Sequence, residues 1–118
     1  MKKALIVDDS TASRSTMVAS LQQKGYEVLA GENGEIGLNF AQNNSDLKVI
    51  ISDINMPVMD GFEMIKKIRG FNTKVPIIAL SVDEEKGNEA LGIGATAFII
   101  KSANSGEEIK QFLDKYIK

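Results

Sequence analysis

Apolar residues in this chain come in short runs that alternate with segments of helical spacing. Ala4, Leu5, Ile6 and Val7 form the first run, closed by Asp8 and Asp9, and predict a buried strand. Thr11 to Lys24 carries Met17, Val18 and Leu21 at helical intervals and predicts a helix stopped by Gly25. Tyr26 to Ala30 predicts a second strand, with Gly31, Asn33 and Gly34 read as loop. From Glu35 to about Gln42 a second helix is predicted, in which Ile36 and Phe40 share a face; Asn43, Asn44 and Ser45 break it. Leu47 to Ser52 is the central apolar run, interrupted at its start by Lys48, and Asp53 stands at its end. The residues that follow read as a loop held by Pro57 and closed by an Asp60-Gly61 turn.

The same alternation continues to the C-terminus. Phe62, Ile65 and Ile68 predict a helix from Phe62 to about Arg69, with Gly70 as its stop. Ile77 to Leu80 predicts a fourth strand ending at Ser81. Asp83 to Ile93 predicts a weak helix, acidic at its start as the helix dipole favours, with Gly87 and Gly92 inside it or at its end. Ala95 to Ile100 predicts a fifth strand ending at Lys101. Glu107 to Tyr116 sets Ile109, Phe112, Leu113, Tyr116 and Ile117 on one stripe, the clearest amphipathic helix in the chain. Strand then helix, five times over, predicts an α/β fold: one doubly wound parallel sheet with helices on both faces.

Composition narrows the chemistry. The 118 residues are expected to form one domain, spanning 1–118. With 14 basic and 16 acidic residues interspersed, there is no basic tail or stripe, and direct nucleic-acid binding is not expected. The chain has no cysteine and no histidine, which removes thiol nucleophiles, disulfides, zinc sites of either type and any phosphohistidine role. Only carboxylates, hydroxyls and lysine remain for chemistry. Met1-Lys2-Lys3 and the four apolar residues before Asp8 are too short for a signal-peptide core, and no run reaches membrane-spanning length. The expected location is the cytoplasm, with no membrane insertion.

In a doubly wound sheet the strand ends Asp8, Asp9, Asp53, Ser81 and Lys101 fall at one edge, in the crevice where such folds bind ligands. Taken singly, each has a bland explanation: the aspartates and Ser81 as turn or helix caps, Lys101 as a solvated residue, Phe98 as ordinary packing. Their joint placement is harder to explain by capping. Three carboxylates repel unless a cation or proton intervenes, and an all-oxygen set suits a hard divalent ion such as Mg²⁺. Lysine and a hydroxyl beside them could stabilise an anionic phosphoryl group on a carboxylate nucleophile. There is no G-x-G-x-x-G opening a helix, no G-x-x-x-x-G-K-[ST] and no serine-hydrolase elbow.

The motifs Leu5-Ile6-Val7-Asp8-Asp9-Ser10, Asp53 to Gly61, Pro76 to Ser81, Gly94-Ala95 and Lys101 resemble those of bacterial two-component response regulator receiver domains, of the single-domain chemotaxis-regulator-like kind. The resemblance covers essentially the whole chain. It implies a flavodoxin-like sheet of strand order 2-1-3-4-5. It further implies that Asp53 accepts a phosphoryl group from a sensor histidine kinase or a histidine phosphotransfer protein. Asp8, Asp9, Asp53 and the backbone carbonyl of Asn55 would bind Mg²⁺. Ser81 and Lys101 would contact the phosphoryl group, and Phe98 would be the switch aromatic that packs inward when Ser81 moves. The output to a downstream protein would be read from the fourth helix, fifth strand and fifth helix, in a monomer or a dimer. With no effector domain, the chain would not itself act on DNA.

Four departures from that family fall around the output face. Ser102 stands where proline commonly follows the lysine, so the bond before it is expected to be trans, since cis before a non-proline costs about 2.5–4 kcal/mol. The interval from Ser81 to Lys101 is shorter than usual by about two residues, which implies a shortened or distorted fourth helix, further weakened by Gly87 by about 1 kcal/mol relative to alanine. Val82 replaces a smaller residue, and Phe98 lacks a tyrosine hydroxyl. Three other readings follow from the same residues: a degenerate receiver that docks partners without phosphate, a small phosphotransfer enzyme with a carboxylate nucleophile, and a flavodoxin-like cofactor carrier. Asn55 is unsuited as the general acid of the second, and the scarcity of aromatics disfavours the third.

Overall fold

The computed structural model describes residues 1–117. Ten elements alternate along them: β1 (Lys2–Val7), α1 (Thr11–Gln23), β2 (Tyr26–Gly31), α2 (Gly34–Asn43), β3 (Leu47–Asp53), α3 (Gly61–Arg69), β4 (Ile77–Ser81), α4 (Glu84–Gly92), β5 (Ala97–Ile100) and α5 (Ser105–Tyr116). The strands form one sheet in the order β2-β1-β3-β4-β5, with every pairing parallel. This is the flavodoxin-like arrangement, and it sets β3 in the middle.

Alternation along the strands divides the core in two. Leu5, Val7, Ile50, Ile77 and Ala79 point to one face and pack with Met64, Ile65 and Ile68 of α3 and Ala90 of α4. Ala4, Ile6, Val49, Ile51, Ile78 and Leu80 point to the other and pack with Met17 and Leu21 of α1 and Ile109 and Leu113 of α5. Because both faces are covered, the three central strands read as continuous apolar runs. Each fully buried isoleucine among them contributes about 1.5–3 kcal/mol of transfer free energy. Among the described residues no helix is long and apolar enough to cross a membrane.

Several boundaries differ from the sequence reading. β5 starts at Ala97 rather than Ala95, because Thr96 is used as a bracket: its N–H donates to the Ile77 carbonyl at 2.8 Å and its Oγ1 accepts the Ile77 N–H at 3.0 Å. α5 starts at Ser105, whose hydroxyl accepts the Ser102 N–H at 2.8 Å. On α2 the residues facing the core are Gly34, Gly37 and Ala41; Ile36 and Phe40, which share a face, are only half-buried. The Asp60-Gly61 pair is a helix start, not a free turn: the Asp60 carboxylate accepts the Glu63 N–H at 2.9 Å. The Lys101–Ser102 bond is trans, as expected.

The fourth helix matches its predicted span to within one residue at each end. It is short but continuous over nine residues, and Asp83 caps it by accepting the Lys86 N–H at 2.9 Å. Gly87 is not a weak point left in its middle. A Cβ at Gly87 would fall well inside 3.0 Å of three ring atoms of Phe98, so alanine there gains helix propensity only by colliding with β5.

Candidate functional site

Parallel strands bring β1, β3, β4 and β5 to a common C-terminal edge, and the residues that end them form the site. Asp53 ends β3 with only 6% of its surface exposed. Its Oδ1 accepts the N–H of Ile54 at 2.9 Å and its Oδ2 accepts from the Lys101 ammonium at 2.8 Å. Asp8, fully buried just beyond β1, accepts the Ser10 N–H at 2.9 Å and the Ser13 hydroxyl at 2.6 Å, and pairs with Lys101 at 3.2 Å. Lys101 thus bridges two buried carboxylates. Asp9 is exposed at the rim, and one oxygen from each of Asp8, Asp9 and Asp53 lies within 4.8 Å of the others.

Electrostatics follow from that crowding. Burial pushes the Asp53 carboxyl above its usual value; Lys101 and the Ile54 N–H pull it back only in part, and the charge of Asp8 adds to the rise. Burial pulls the Lys101 ammonium down, but its contacts with Asp53 and Asp8 prevail and leave it raised. A single ammonium therefore does not offset the desolvation of Asp53. The donors are all oxygen and one carboxylate is open to solvent, so the chemistry of the set suits a hard divalent cation.

The loop after Asp53 is held at both ends. Gly61 N–H donates to the Ile54 carbonyl at 2.7 Å, and Gly34 N–H, at the start of α2, donates to the Met59 carbonyl at 2.9 Å. Between them Met59 N–H donates to the Pro57 carbonyl at 2.7 Å, a γ-turn with Val58 at φ +68°. A β-branched residue there is strained, and Val58 is 73% exposed, so no packing compensates it. Val58→Asn is expected to raise stability by about 0.5–1 kcal/mol, read as a higher urea midpoint at constant slope. An unchanged or lower midpoint would show that the turn carries no strain.

A family model described as the response regulator receiver domain matches residues 4–114. The chain belongs to that family. It is 38% identical over 104 residues to the chemotaxis protein CheY1 of Helicobacter pylori strain J99, covering 84% of each. Among solved structures, the chemotaxis response regulator CheY4 of Vibrio cholerae superposes with a TM-score of 0.88 at 39% identity, covering 98% of each chain. The response regulator TrrA of Thermotoga maritima, solved in complex with Mg(2+)-BeF, superposes with a TM-score of 0.84 at 30% identity and the same coverage.

In this receiver domain the structure gathers Asp8, Asp9, Asp53 and Lys101, while Asn55 is exposed in the loop two residues beyond Asp53. Ser81 is buried at the end of β4, yet its hydroxyl donates to the Asp83 carbonyl and accepts the Asp83 N–H at 3.2 Å. It is turned toward its own loop rather than to Asp53. Val82 is 56% exposed beside it. Sequence reasoning missed Ser13 and Arg14, whose guanidinium donates to the Asp8 carbonyl at 2.7 Å. Their positions, one turn into a helix that starts beside Asp8, carried a usable signal.

Proposed function

We propose that residues 1–118 act as one phosphoacceptor unit, with Asp53 as the residue that accepts the phosphoryl group. An Asp53 oxygen attacks phosphorus, the P–N bond of a histidine donor breaks, and the imidazole leaves with a proton from solvent. The observation that carries this reading is the Lys101 ammonium held 2.8 Å from Asp53 Oδ2 and 3.2 Å from Asp8 at the open edge of the sheet. That position lets Lys101 follow the charge from the carboxylate to a phosphoryl oxygen. Asp8, Asp9 and Asp53, with the backbone carbonyl of Asn55, would hold Mg²⁺. When bound, the ion would neutralise the carboxylates and the charge developing on the phosphoryl oxygens.

Ser81 donates to a phosphoryl oxygen once its hydroxyl leaves the Asp83 carbonyl, and Phe98 responds as the switch aromatic. The donor is a sensor histidine kinase or a histidine phosphotransfer protein in the cytoplasm. The reader is a downstream protein that docks on α4, β5 and α5, where Leu91 and Ile100 are each 40% exposed. Signalling of the kind suggested by the chemotaxis relatives follows from such a surface.

Intact mass after incubation with acetyl phosphate tests this directly. Wild type with Mg²⁺ is expected to gain one phosphoryl mass, and wild type without Mg²⁺ or Asp53→Ala with it none. No adduct on wild type from acetyl phosphate or phosphoramidate, together with no Mg²⁺-dependent binding of beryllofluoride, would sink the reading.

A further inference from the structure

Asp8 is gripped from one side by the start of α1. Its Oδ1 accepts the Ser10 N–H at 2.9 Å, the Ser10 hydroxyl accepts the Ser13 N–H at 3.2 Å, and the Ser13 hydroxyl donates back to Asp8 Oδ2 at 2.6 Å. The N-cap of α1 and the carboxylate thus close one ring of hydrogen bonds. The next residue, Arg14, donates to the Asp8 carbonyl at 2.7 Å, so the backbone is held as well. The bond from Ser13 is the shortest that the Asp8 carboxylate makes, within the range of charge-assisted hydroxyl–carboxylate pairs. Lys101 is more distant, at 3.2 Å from Asp8 against 2.8 Å from Asp53.

We infer that Ser13 is a positioning residue of the metal site: its hydroxyl satisfies and orients the Asp8 carboxylate, leaving the Asp8 charge for a divalent cation and Lys101 for Asp53. The inference rests on the reading of Asp8, Asp9 and Asp53 as holders of Mg²⁺ and adds the residue that sets one of them. A carboxylate only accepts hydrogen bonds, and Asp8, with no exposed surface, has no solvent contact to replace a lost donor. A hydroxyl fills that need without cancelling charge; an ammonium fills it by forming an ion pair. Once the hydroxyl is removed, Oδ2 is left to Lys101. The ammonium moves from Asp53 toward Asp8, and a cation entering the site must displace a tighter pair.

Ser13→Ala is expected to raise the dissociation constant for Mg²⁺ about tenfold in calorimetric titration of the unphosphorylated protein, the low end for losing a group that orients a metal ligand. Ser13→Thr keeps the hydroxyl and is expected to bind as wild type does. Ser13 borders an open groove with Ala12, Ser102 and Gly106, which leaves space for the added methyl. Ser15→Ala, at an exposed position of the same helix, controls for the gain in helix propensity and is expected to change nothing. In uptake from acetyl phosphate, the Mg²⁺ concentration giving half the maximal rate is expected to rise in Ser13→Ala by the same factor, with the rate at saturating Mg²⁺ unchanged.

A metal-free measurement reads the competition for Lys101 directly. Ser13→Ala is expected to shift the carboxyl carbon-13 resonances of Asp8 and Asp53 together, as the ammonium leaves one for the other; a shift at Asp8 alone overturns the inference. Unchanged Mg²⁺ affinity in Ser13→Ala, a loss that Ser13→Thr shares, or an equal loss in Ser15→Ala also overturns it, while leaving the metal site standing. Wild type that binds no Mg²⁺ removes the metal site and the role of Ser13 together.

Discussion

Lys101→Ala is expected to cost the protein about 3 kcal/mol in the absence of divalent cation, near the low end for breaking a buried ion pair. The side chains of Asp8 and Asp53 are 0% and 8% exposed, and Lys101, 26% exposed itself, is the cation paired with both. Without it two desolvated carboxylates face each other. The loss is expected to depend on pH. Burial raises the Asp53 pKa in the folded state, so the stability its protonated form supplies is complete below the ordinary value of 3.8 and lost as pH rises through the folded value. Removing Lys101 lifts that folded value further, so the gap between variant and wild type widens from acid to neutral pH.

The contribution of Lys101 runs in the same direction in the wild type, but at far higher pH. Its raised pKa means that its favourable contribution is complete below 10.5 and disappears as pH rises through the folded value. Urea titrations of both proteins between pH 4 and pH 8 check the prediction, and Asp53→Asn in the Lys101→Ala background is expected to recover most of the loss. A loss under about 1 kcal/mol, or one equal at every pH, would mean that Lys101 does not compensate these carboxylates.

Gly61→Ala is expected to be comparably severe, at about 3 kcal/mol, and to abolish phosphoryl uptake. Its Cβ would fall inside 3.0 Å of the Asp53 carbonyl oxygen and the Ile54 Cα, both of them backbone atoms. Neither can rotate away, so either β3 or the start of α3 must shift. Because the Gly61 N–H holds the Ile54 carbonyl at 2.7 Å, the displacement falls on the residue next to Asp53. Gly92→Ala provides the comparison, since alanine there meets no neighbour. Denaturation midpoints and adduct yield with acetyl phosphate together decide it: a Gly61→Ala protein of wild-type stability that still takes up phosphate would rule out the close approach.

Much of the fold was legible because central strands covered on both faces must be apolar at every position. Leu5 to Val7, Val49 to Ile51 and Ile77 to Leu80 meet that condition without help from partners, and the brackets Asp8, Asp53 and Ser81 mark where each run stops. The stripe of α5 was legible for the same kind of reason, although only Ile109 and Leu113 on it are buried. β5 is an edge strand with a single buried residue, and its start was misplaced because its pattern is weak. The buried face of α2, Gly34, Gly37 and Ala41, was not legible because glycine gives no hydropathy signal, while close packing selects it.

The sequence by itself determined the alternation of strand and helix and the set of polar strand ends, since periodicity and turn chemistry are local properties. Parallel pairing then carries Asp8, Asp53 and Lys101 to one edge. Tertiary structure alone decided that Lys101 bridges Asp8 and Asp53 instead of pointing to solvent, and that the Ser81 hydroxyl turns to Asp83. It also decided that Val58 takes a left-handed conformation and that Gly87 is a seat for Phe98. Each of these depends on where a second segment, distant in sequence or held by loop closure, places its atoms, and hydrophobic spacing along one segment carries no record of that.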